Sequence, residues 1–174
     1  MYAASWYPKS VDHNAPSATC LLRIRRDIQE IKTDRLPGIY VLPEENDQSK
    51  LHAVVVRGPS GTPCEGGFFH FFVKCPSSYP MQPPYVRLVN TDDGSVRFSP
   101  NFYAFGELCL SILGAWSVPA WSPVHTIGTV LLSIQSILNK EAYYNLPGQT
   151  RGIFFDGSKS YNERLRLEAI RVAV

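Results

Sequence analysis

The chain has 174 residues, of which 44% are hydrophobic and 18% are charged, with a formal net charge of +2 at pH 7. That length suits one domain with its own hydrophobic core, and the small net charge gives no electrostatic argument for a nucleic-acid partner. The chain has no run of about 18 uncharged apolar residues and no apolar signal-peptide core at its N-terminus, so we expect an intracellular protein without a membrane partner.

The four cysteines are scattered along the chain, at Cys20, Cys64, Cys75 and Cys109. None of them belongs to a C-x-x-C pair, so the spacing does not favour a zinc site. A disulfide framework is not expected either, because a chain of this length can bury its own core. We therefore predict no metal site.

A first helix is predicted after an arm of irregular sequence at residues 1–16. Apolar residues recur at helical spacing and charged residues occupy the other faces, until Pro37-Gly38 ends the pattern. The apolar positions are Leu21, Leu22, Ile24, Ile28 and Ile31. Residues 17–174 are predicted to form a single domain.

Four short β-branched or aromatic runs follow, which read IYVL, LHAVVVRG, FFHFFVKC and YVRLV and are separated by turn-forming residues. No helical pattern intervenes to make parallel crossovers, so we predict a four-stranded antiparallel meander. The third run is rich in phenylalanine, but only Lys74 and Arg87 are near it, which is too few basic residues for a single-stranded nucleic-acid site.

Two more helices are predicted toward the C-terminus. Ser122-Pro123 has the form of an N-cap and first helical residue, and an apolar stripe follows it. The stripe consists of Ile127, Val130, Leu131, Ile134, Ile137 and Leu138. Ser160 and Glu163 have the spacing of a capping box for a last helix, which continues to Val174 without a stop signal. The sequence leaves open whether the domain is truncated there. The element order predicts an α+β domain.

Cys109 lies in the irregular segment between the predicted sheet and the second helix. Covalent chemistry at a cysteine needs access, a route to the thiolate and stabilisation of the oxyanion that forms. Gly106 allows a tight turn before the cysteine, and Asn101, eight residues upstream, offers an amide NH₂ donor. The nearest histidine along the chain, His125, is sixteen residues away, so the spacing does not favour a cysteine protease.

Five short motifs occur in a fixed order: Tyr79-Pro80, Pro83-Pro84, Pro100-Asn101, Cys109-Leu110 and Trp121-Ser122-Pro123. This ordered set resembles the ubiquitin-conjugating (E2) enzymes and covers about residues 17–174. The segments CLLRIRRDI, CEGGFF and CLSILGAW are most similar to the Z-type members. The resemblance implies the ubiquitin-conjugating (UBC) fold, a meander sheet flanked by an N-terminal helix and C-terminal helices.

The resemblance also implies a function. Cys109 would accept ubiquitin or a ubiquitin-like modifier from an E1 enzyme as a thioester, and pass it to a substrate lysine or an E3 cysteine. No cofactor would be bound, because ATP is used upstream by E1. The alternative from another class is a non-catalytic binding module on the same fold. A cytoplasmic and nuclear location is expected.

The sequence departs from the family pattern at three places. Ser99 replaces the family histidine before Pro100-Asn101, and we expect Ser99 and Pro100 to support the loop. An insertion at residues 114–120 either borders the active site or is a decorative loop. Asn145 stands where the family often has an aspartate that orients the lysine; we expect a lysine-positioning role for it, with Glu141 as a weaker candidate.

Two contact surfaces follow from the same resemblance. Arg23, Arg25 and Arg26 on the first helix match the basic face that these enzymes present to E1. Met81, Pro123 and Val124 match the two loops that contact E3 ligases. Without the resemblance, the arginines would be interpreted as solvated surface and the methionine as a packing residue.

Overall fold

A computed structural model describes residues 14–56, 60–114, 121–145 and 157–174. The helices and strands are, in chain order, α1 (Ala18–Thr33), β1 (Ile39–Pro43), β2 (Lys50–Val56), β3 (Phe68–Lys74), β4 (Tyr85–Leu88), α2 (Ile127–Ile137) and α3 (Ser158–Val172). Single 3-10 turns occur at Ser111–Leu113 and Ala142–Tyr144. Residues 1–13 of the predicted arm and 115–120 of the insertion lie outside the described residues.

The four strands form one antiparallel sheet in the order β1-β2-β3-β4, which confirms the predicted meander and the α+β class. Side chains alternate between the two faces of the sheet. One face, which includes Leu51, Ala53 and Phe71, packs into a single apolar core with all three helices. The opposite face leaves Tyr40 and Leu42 exposed.

Helix α1 begins where the sequence predicts and ends earlier than predicted. The Ser17 hydroxyl caps it by accepting a hydrogen bond from the Cys20 amide at 3.1 Å. The helix stops at Thr33 rather than near Pro37, because Arg35 adopts a left-handed backbone conformation with φ of 47°. Leu22, which the periodicity assigns to the apolar stripe, is exposed instead.

The predicted start of α2 at Ser122-Pro123 is wrong. The helix begins at Ile127, where Thr126 and Thr129 form a reciprocal capping box. Ser122 instead starts a turn, in which its carbonyl accepts from the His125 amide at 2.9 Å. The predicted apolar stripe of α2 is confirmed, since five of its six positions are buried and Ile137 is partly buried.

The predicted capping box of α3 is also wrong, because the helix begins two residues earlier at Ser158 and the Ser160 hydroxyl donates to the Gly157 carbonyl. The helix stops at Val172 before the end of the chain. The side-chain Nδ2 of Asn90 donates to the Val172 carbonyl at 3.2 Å, and the backbone N–H of Phe68 donates to the Ala173 carbonyl. These bonds attach the end of α3 to the start of β3 and to the segment that follows β4.

Within the described ranges, no helix is both long and apolar enough to cross a bilayer. The same residues contain no group of three or more His, Cys, Asp or Glu side chains that could hold a metal ion.

Candidate active site

Cys109 ends a tight hairpin that begins at Asn101. The Cys109 amide donates to the Asn101 carbonyl at 2.8 Å, and the Tyr103 amide donates to the Glu107 carbonyl at 2.8 Å. The Gly106 carbonyl accepts from the Leu88 amide at 2.8 Å, which attaches the hairpin to β4. The cysteine is therefore held on a loop that is bonded to the sheet.

Gly106 makes this attachment possible. Its φ is +87°, a region that favours glycine, and a Cβ at this position would lie 2.0 Å from the Leu88 carbonyl oxygen. The sequence-based expectation of a tight turn at Gly106 is confirmed, and the close approach to β4 supplies a second reason for glycine.

The Asn101 side chain points to Cys109, but it binds the backbone rather than the sulfur. Its Nδ2 donates to the Cys109 carbonyl at 3.1 Å, and the residue is only 6% exposed. Asn101 and Cys109 are thus joined by two hydrogen bonds, one from each residue. The amide group has a second N–H, which is not used in this contact.

Ser99 and Pro100 lie directly behind Asn101. The Ser99 hydroxyl accepts from the Asn101 amide at 3.2 Å and lies 3.4 Å from its Oδ1, and Ser99 is fully buried. The Pro100 carbonyl accepts from Arg97 Nη2 at 2.7 Å. Ser99 thus contacts Asn101 directly, whereas the Pro100 carbonyl is bound by Arg97.

Arg97 is a site residue that the sequence analysis missed. Its Nε donates to the Phe102 carbonyl at 2.9 Å, and its guanidinium carbon lies 5.3 Å from the Tyr103 ring centroid. Together with the bond to Pro100, these contacts fasten both ends of the segment that contains Asn101. A single arginine in a loop gives no pattern from which this clamp could have been predicted.

Covalent chemistry at Cys109 requires access, and in the structure the residue is nearly buried. It nevertheless differs from the other three cysteines. It keeps 8% of its surface exposed and lies outside the apolar core cluster, whereas Cys20, Cys64 and Cys75 belong to that cluster with 2% or less. Burial raises the pKa of the Cys64 thiol to about 12, and it raises that of Cys75 as well. A buried, protonated thiol is a poor nucleophile.

Cys109 is therefore expected to be alkylated first when the folded protein is treated with iodoacetamide. Peptide mass spectrometry after short reaction times would measure the order of labelling. The Cys109→Ser variant is the matched control and should remain almost unlabelled until urea unfolds it. Equal or faster labelling of Cys64 or Cys20 in the folded protein would contradict the expectation.

Asn145 follows α2, where its side chain binds the end of that helix. Its Nδ2 donates to the Ile137 carbonyl at 2.9 Å, and its Oδ1 accepts from Asn139 Nδ2 at 3.3 Å. It also lines an open surface pocket of about 440 Å³ together with Lys140 and Glu141. None of the hydrogen bonds of Asn145 reaches the Cys109 hairpin within the described part of the chain.

The three arginines of α1 do not share one environment. Arg25 and Arg26 are exposed, and among the described residues their Nε atoms bind Gln48 and Glu30, respectively. Arg23 is turned inward, and its side chain is 23% exposed. The basic face predicted for E1 contact therefore consists of two outward-facing arginines and one that is engaged inside the protein.

The two loops predicted to contact ligases lie next to each other. The Trp121 indole donates to the Pro80 carbonyl at 2.7 Å, which joins the loops. Met81 is 71% exposed and Val124 is 79% exposed, and Pro123 is also exposed. Apolar side chains at this level of exposure on adjoining loops are a feature of protein-binding surfaces.

Comparison with known proteins gives matches over nearly the whole chain. The profile of a family described as ubiquitin-conjugating enzyme matches residues 23–165. Ubiquitin-conjugating enzyme E2 Z of Danio rerio is 47% identical, over 100% of this chain and 54% of its own length. The human E2 Z is 49% identical, over 94% of this chain and 46% of its own length.

A more distant match is the human dual E2 ubiquitin-conjugating enzyme/E3 ubiquitin-protein ligase BIRC6, which is 34% identical over 99% of this chain and 4% of its own length. The chain spans about half the length of the E2 Z relatives. The higher identity to the E2 Z proteins confirms the predicted similarity to the Z-type members.

Proposed function

The chain belongs to the ubiquitin-conjugating enzyme family, and from that membership we propose that it carries ubiquitin or a ubiquitin-like modifier on Cys109. The modifier arrives from an E1 enzyme and leaves to a substrate lysine or an E3 cysteine. One observation supports the assignment of the nucleophile: Cys109 closes the hairpin opposite Asn101 and, although buried, keeps more of its surface exposed than the other three cysteines.

Both steps are acyl transfers, in which the C-terminal carbonyl of the modifier passes from one nucleophile to the next. The Cys109 sulfur attacks the thioester carbonyl on E1, the new carbon–sulfur bond forms as the old one breaks, and the proton of Cys109 ends on the E1 thiol. A lysine amine then attacks the Cys109 thioester, which gives an isopeptide bond and restores the thiol. We propose no bound cofactor, since ATP is consumed upstream by E1.

Asn101 supports this chemistry through the loop and through its second N–H, which has no partner among the described residues. Its bond to the Cys109 carbonyl holds the backbone on the C-terminal side of the nucleophile. The second N–H of the same amide is available to the oxyanion that develops during lysine attack. We assign the loop-supporting role to Ser99 through its contacts with Asn101, and to Pro100 through its bond with Arg97.

The attacking lysine has an ordinary pKa of about 10.4, so its neutral form must be favoured near the thioester. Asn145 can orient an amine by accepting a hydrogen bond but cannot act as a base. We assign it a lysine-positioning role, with the neighbouring Glu141 carboxylate as the second candidate on the same pocket.

The surfaces divide between the partners. Arg25 and Arg26 face outward from α1 and are proposed to contact E1, while Met81, Pro123 and Val124 are proposed to contact E3 ligases. Protein substrates complete the set of partners, and neither nucleic acid nor membrane is included. We propose a cytoplasmic and nuclear location.

A thioester assay tests the function. Incubation with E1, ATP and modifier should give a thiol-sensitive adduct on the wild-type protein and a thiol-resistant oxyester on Cys109→Ser. A panel of E1–modifier pairs would identify the modifier. If no pair charges the wild type, the non-catalytic binding module becomes the better description.

Asn101→Ala separates the two roles of the amide. Loss of an oxyanion donor is expected to slow transfer to lysine by about 100-fold, while charging by E1 should be slowed much less. Single-turnover rates of charging and of discharge onto free lysine measure the difference. Ser99→Ala is the control, because it removes the support of Asn101 without removing its amide. Equal loss of both steps in Asn101→Ala would indicate a structural role alone.

A further inference from the structure

Among the described residues, Arg23 makes contacts with the loop after residue 121 that Arg25 and Arg26 do not make. Its Nη1 donates to the Pro123 carbonyl at 3.0 Å and its Nη2 donates to the His125 carbonyl at 2.9 Å. Its Nε donates to Asp27 Oδ1 at 2.7 Å. The guanidinium therefore joins α1 to the loop that presents Val124.

Asp27 extends the connection to the second loop. This carboxylate is 1% exposed, and its Oδ2 accepts from the Tyr79 hydroxyl and from the Ile127 amide, the latter at 3.1 Å. Tyr79 is two residues before Met81, and Ile127 begins α2. One carboxylate thus binds Arg23, the base of the Met81 loop and the start of the helix after the Val124 loop.

The two loops are also bonded to each other. Trp121 Nε1 donates to the Pro80 carbonyl, and the Trp121 ring lies 5.5 Å from the His125 ring and 6.0 Å from the Tyr79 ring, measured between centroids. The exposed residues Met81 and Val124 adjoin this partly buried set of contacts. Their relative position is therefore set by groups that meet at Arg23 and Asp27.

The geometry requires a guanidinium. Three acceptors lie around one side chain, namely a carboxylate and two carbonyls that belong to different residues. A planar fork of five donors can satisfy all three at fixed angles, whereas a lysine ammonium on a flexible stem cannot reproduce that arrangement. Arg25 and Arg26 make no comparable set of contacts with the loops among the described residues.

We propose that Arg23, with Asp27, is a positioning residue for the ligase-facing surface formed by Met81, Pro123 and Val124, and is not an E1 contact. This inference rests on the proposed function, because it assigns that surface to E3 ligases. The basic face of α1 then has two roles, since the outward arginines serve charging and Arg23 serves the step that a ligase accelerates.

The test uses Arg23→Lys and Arg23→Gln, with Arg25→Gln as the matched control from the same helix. Three rates are measured: charging by E1 as a function of E2 concentration, discharge onto free lysine without a ligase, and the same discharge with a RING-type ligase that accelerates the wild type. The backbone amide signals of Met81 and Val124, recorded by NMR, report the position of the two loops independently of any activity assay.

Arg23→Lys is expected to move both amide signals and to lower ligase-stimulated discharge by about tenfold, the effect of losing one or two charge-assisted hydrogen bonds. Its KM for charging and its ligase-free discharge should stay close to wild type, because the inward-turned side chain keeps its positive charge as lysine and makes no contact with the Cys109 hairpin among the described residues. Arg25→Gln should leave both amide signals unchanged.

Circular dichroism at the assay temperature shows whether each variant is folded. If Arg23→Gln is unfolded, the inference is tested with Arg23→Lys alone. Unchanged Met81 and Val124 amides in a folded Arg23 variant would overturn the inference, as would a rise in the KM for E1 equal to that of Arg25→Gln. If no E1 charges the wild type, the proposed function fails, but the amide signals still test the positioning by Arg23.

Discussion

Gly106→Ala is expected to lower the free energy of unfolding by about 3 kcal/mol, from left-handed backbone strain of about 1–2 kcal/mol and an overpacking cost of similar size. The added Cβ would meet the Leu88 carbonyl oxygen at 2.0 Å, where ordinary carbon–oxygen contacts exceed 3 Å. The hairpin must then move away from β4, so the Leu88–Gly106 hydrogen bond weakens as well. Because Cys109 ends the same hairpin, charging by E1 should fall together with stability.

Gly66→Ala is the matched control. Gly66 has a similar backbone angle, φ of +78°, but nothing lies within 4 Å of the position that its Cβ would occupy. Only the backbone strain remains, so we expect a loss of about 1 kcal/mol. The difference between the two variants isolates the contact with Leu88.

Urea unfolding followed by circular dichroism measures both variants, and a loss of 3 kcal/mol corresponds to a fall in melting temperature of roughly 6–12 °C for a domain of this size. The charging assay should show a larger defect for Gly106→Ala than for Gly66→Ala when both are folded. Equal destabilisation of the two variants would show that the hairpin accommodates a side chain at Gly106, against the geometry.

Local patterns predicted the strands and helix faces because alternation and helical periodicity depend on residues that are close in the sequence. The four β runs and the apolar stripe of α2 were predictable for this reason. The start of α2 was not. Ser122-Pro123 has the form of a cap, but the carbonyls of Pro123 and His125 are bound by Arg23, which lies about one hundred residues earlier in the chain.

The candidate site likewise combines features that nearby residues predict with features that depend on distant contacts. Motif spacing placed Cys109 and Asn101 in one loop, and the structure joins them by two hydrogen bonds. The sequence did not show that the Asn101 amide would bind a carbonyl, because that depends on how the hairpin closes. Asp27 was missed because one acidic residue on a charged helix is indistinguishable from a solvated one until the partners around it are known.

Asp27→Asn is expected to lower the free energy of unfolding by about 3 kcal/mol, the lower end of the range for removing one member of a buried ion pair, because Asp27 is buried while the Arg23 side chain stays 23% exposed. Asp27 Oδ1 accepts from Arg23, and Oδ2 accepts from the Tyr79 hydroxyl and the Ile127 amide. An asparagine has one oxygen and one NH₂ group in the same space. In either orientation, its NH₂ faces a donor that the carboxylate used to accept from, and Arg23 loses its counter-charge.

Glu30→Gln is the control, because it removes the same charge from the same helix. The Arg26–Glu30 pair has a similar N–O distance of 2.8 Å, but its side chains are 76% and 42% exposed. Water and salt screen such a pair, so the loss should be at most about 0.5 kcal/mol. Urea unfolding of both variants at low and high salt measures the loss of unfolding free energy in each. A comparable loss in the two variants would show that Asp27 does not hold α1, the Met81 loop and α2 together.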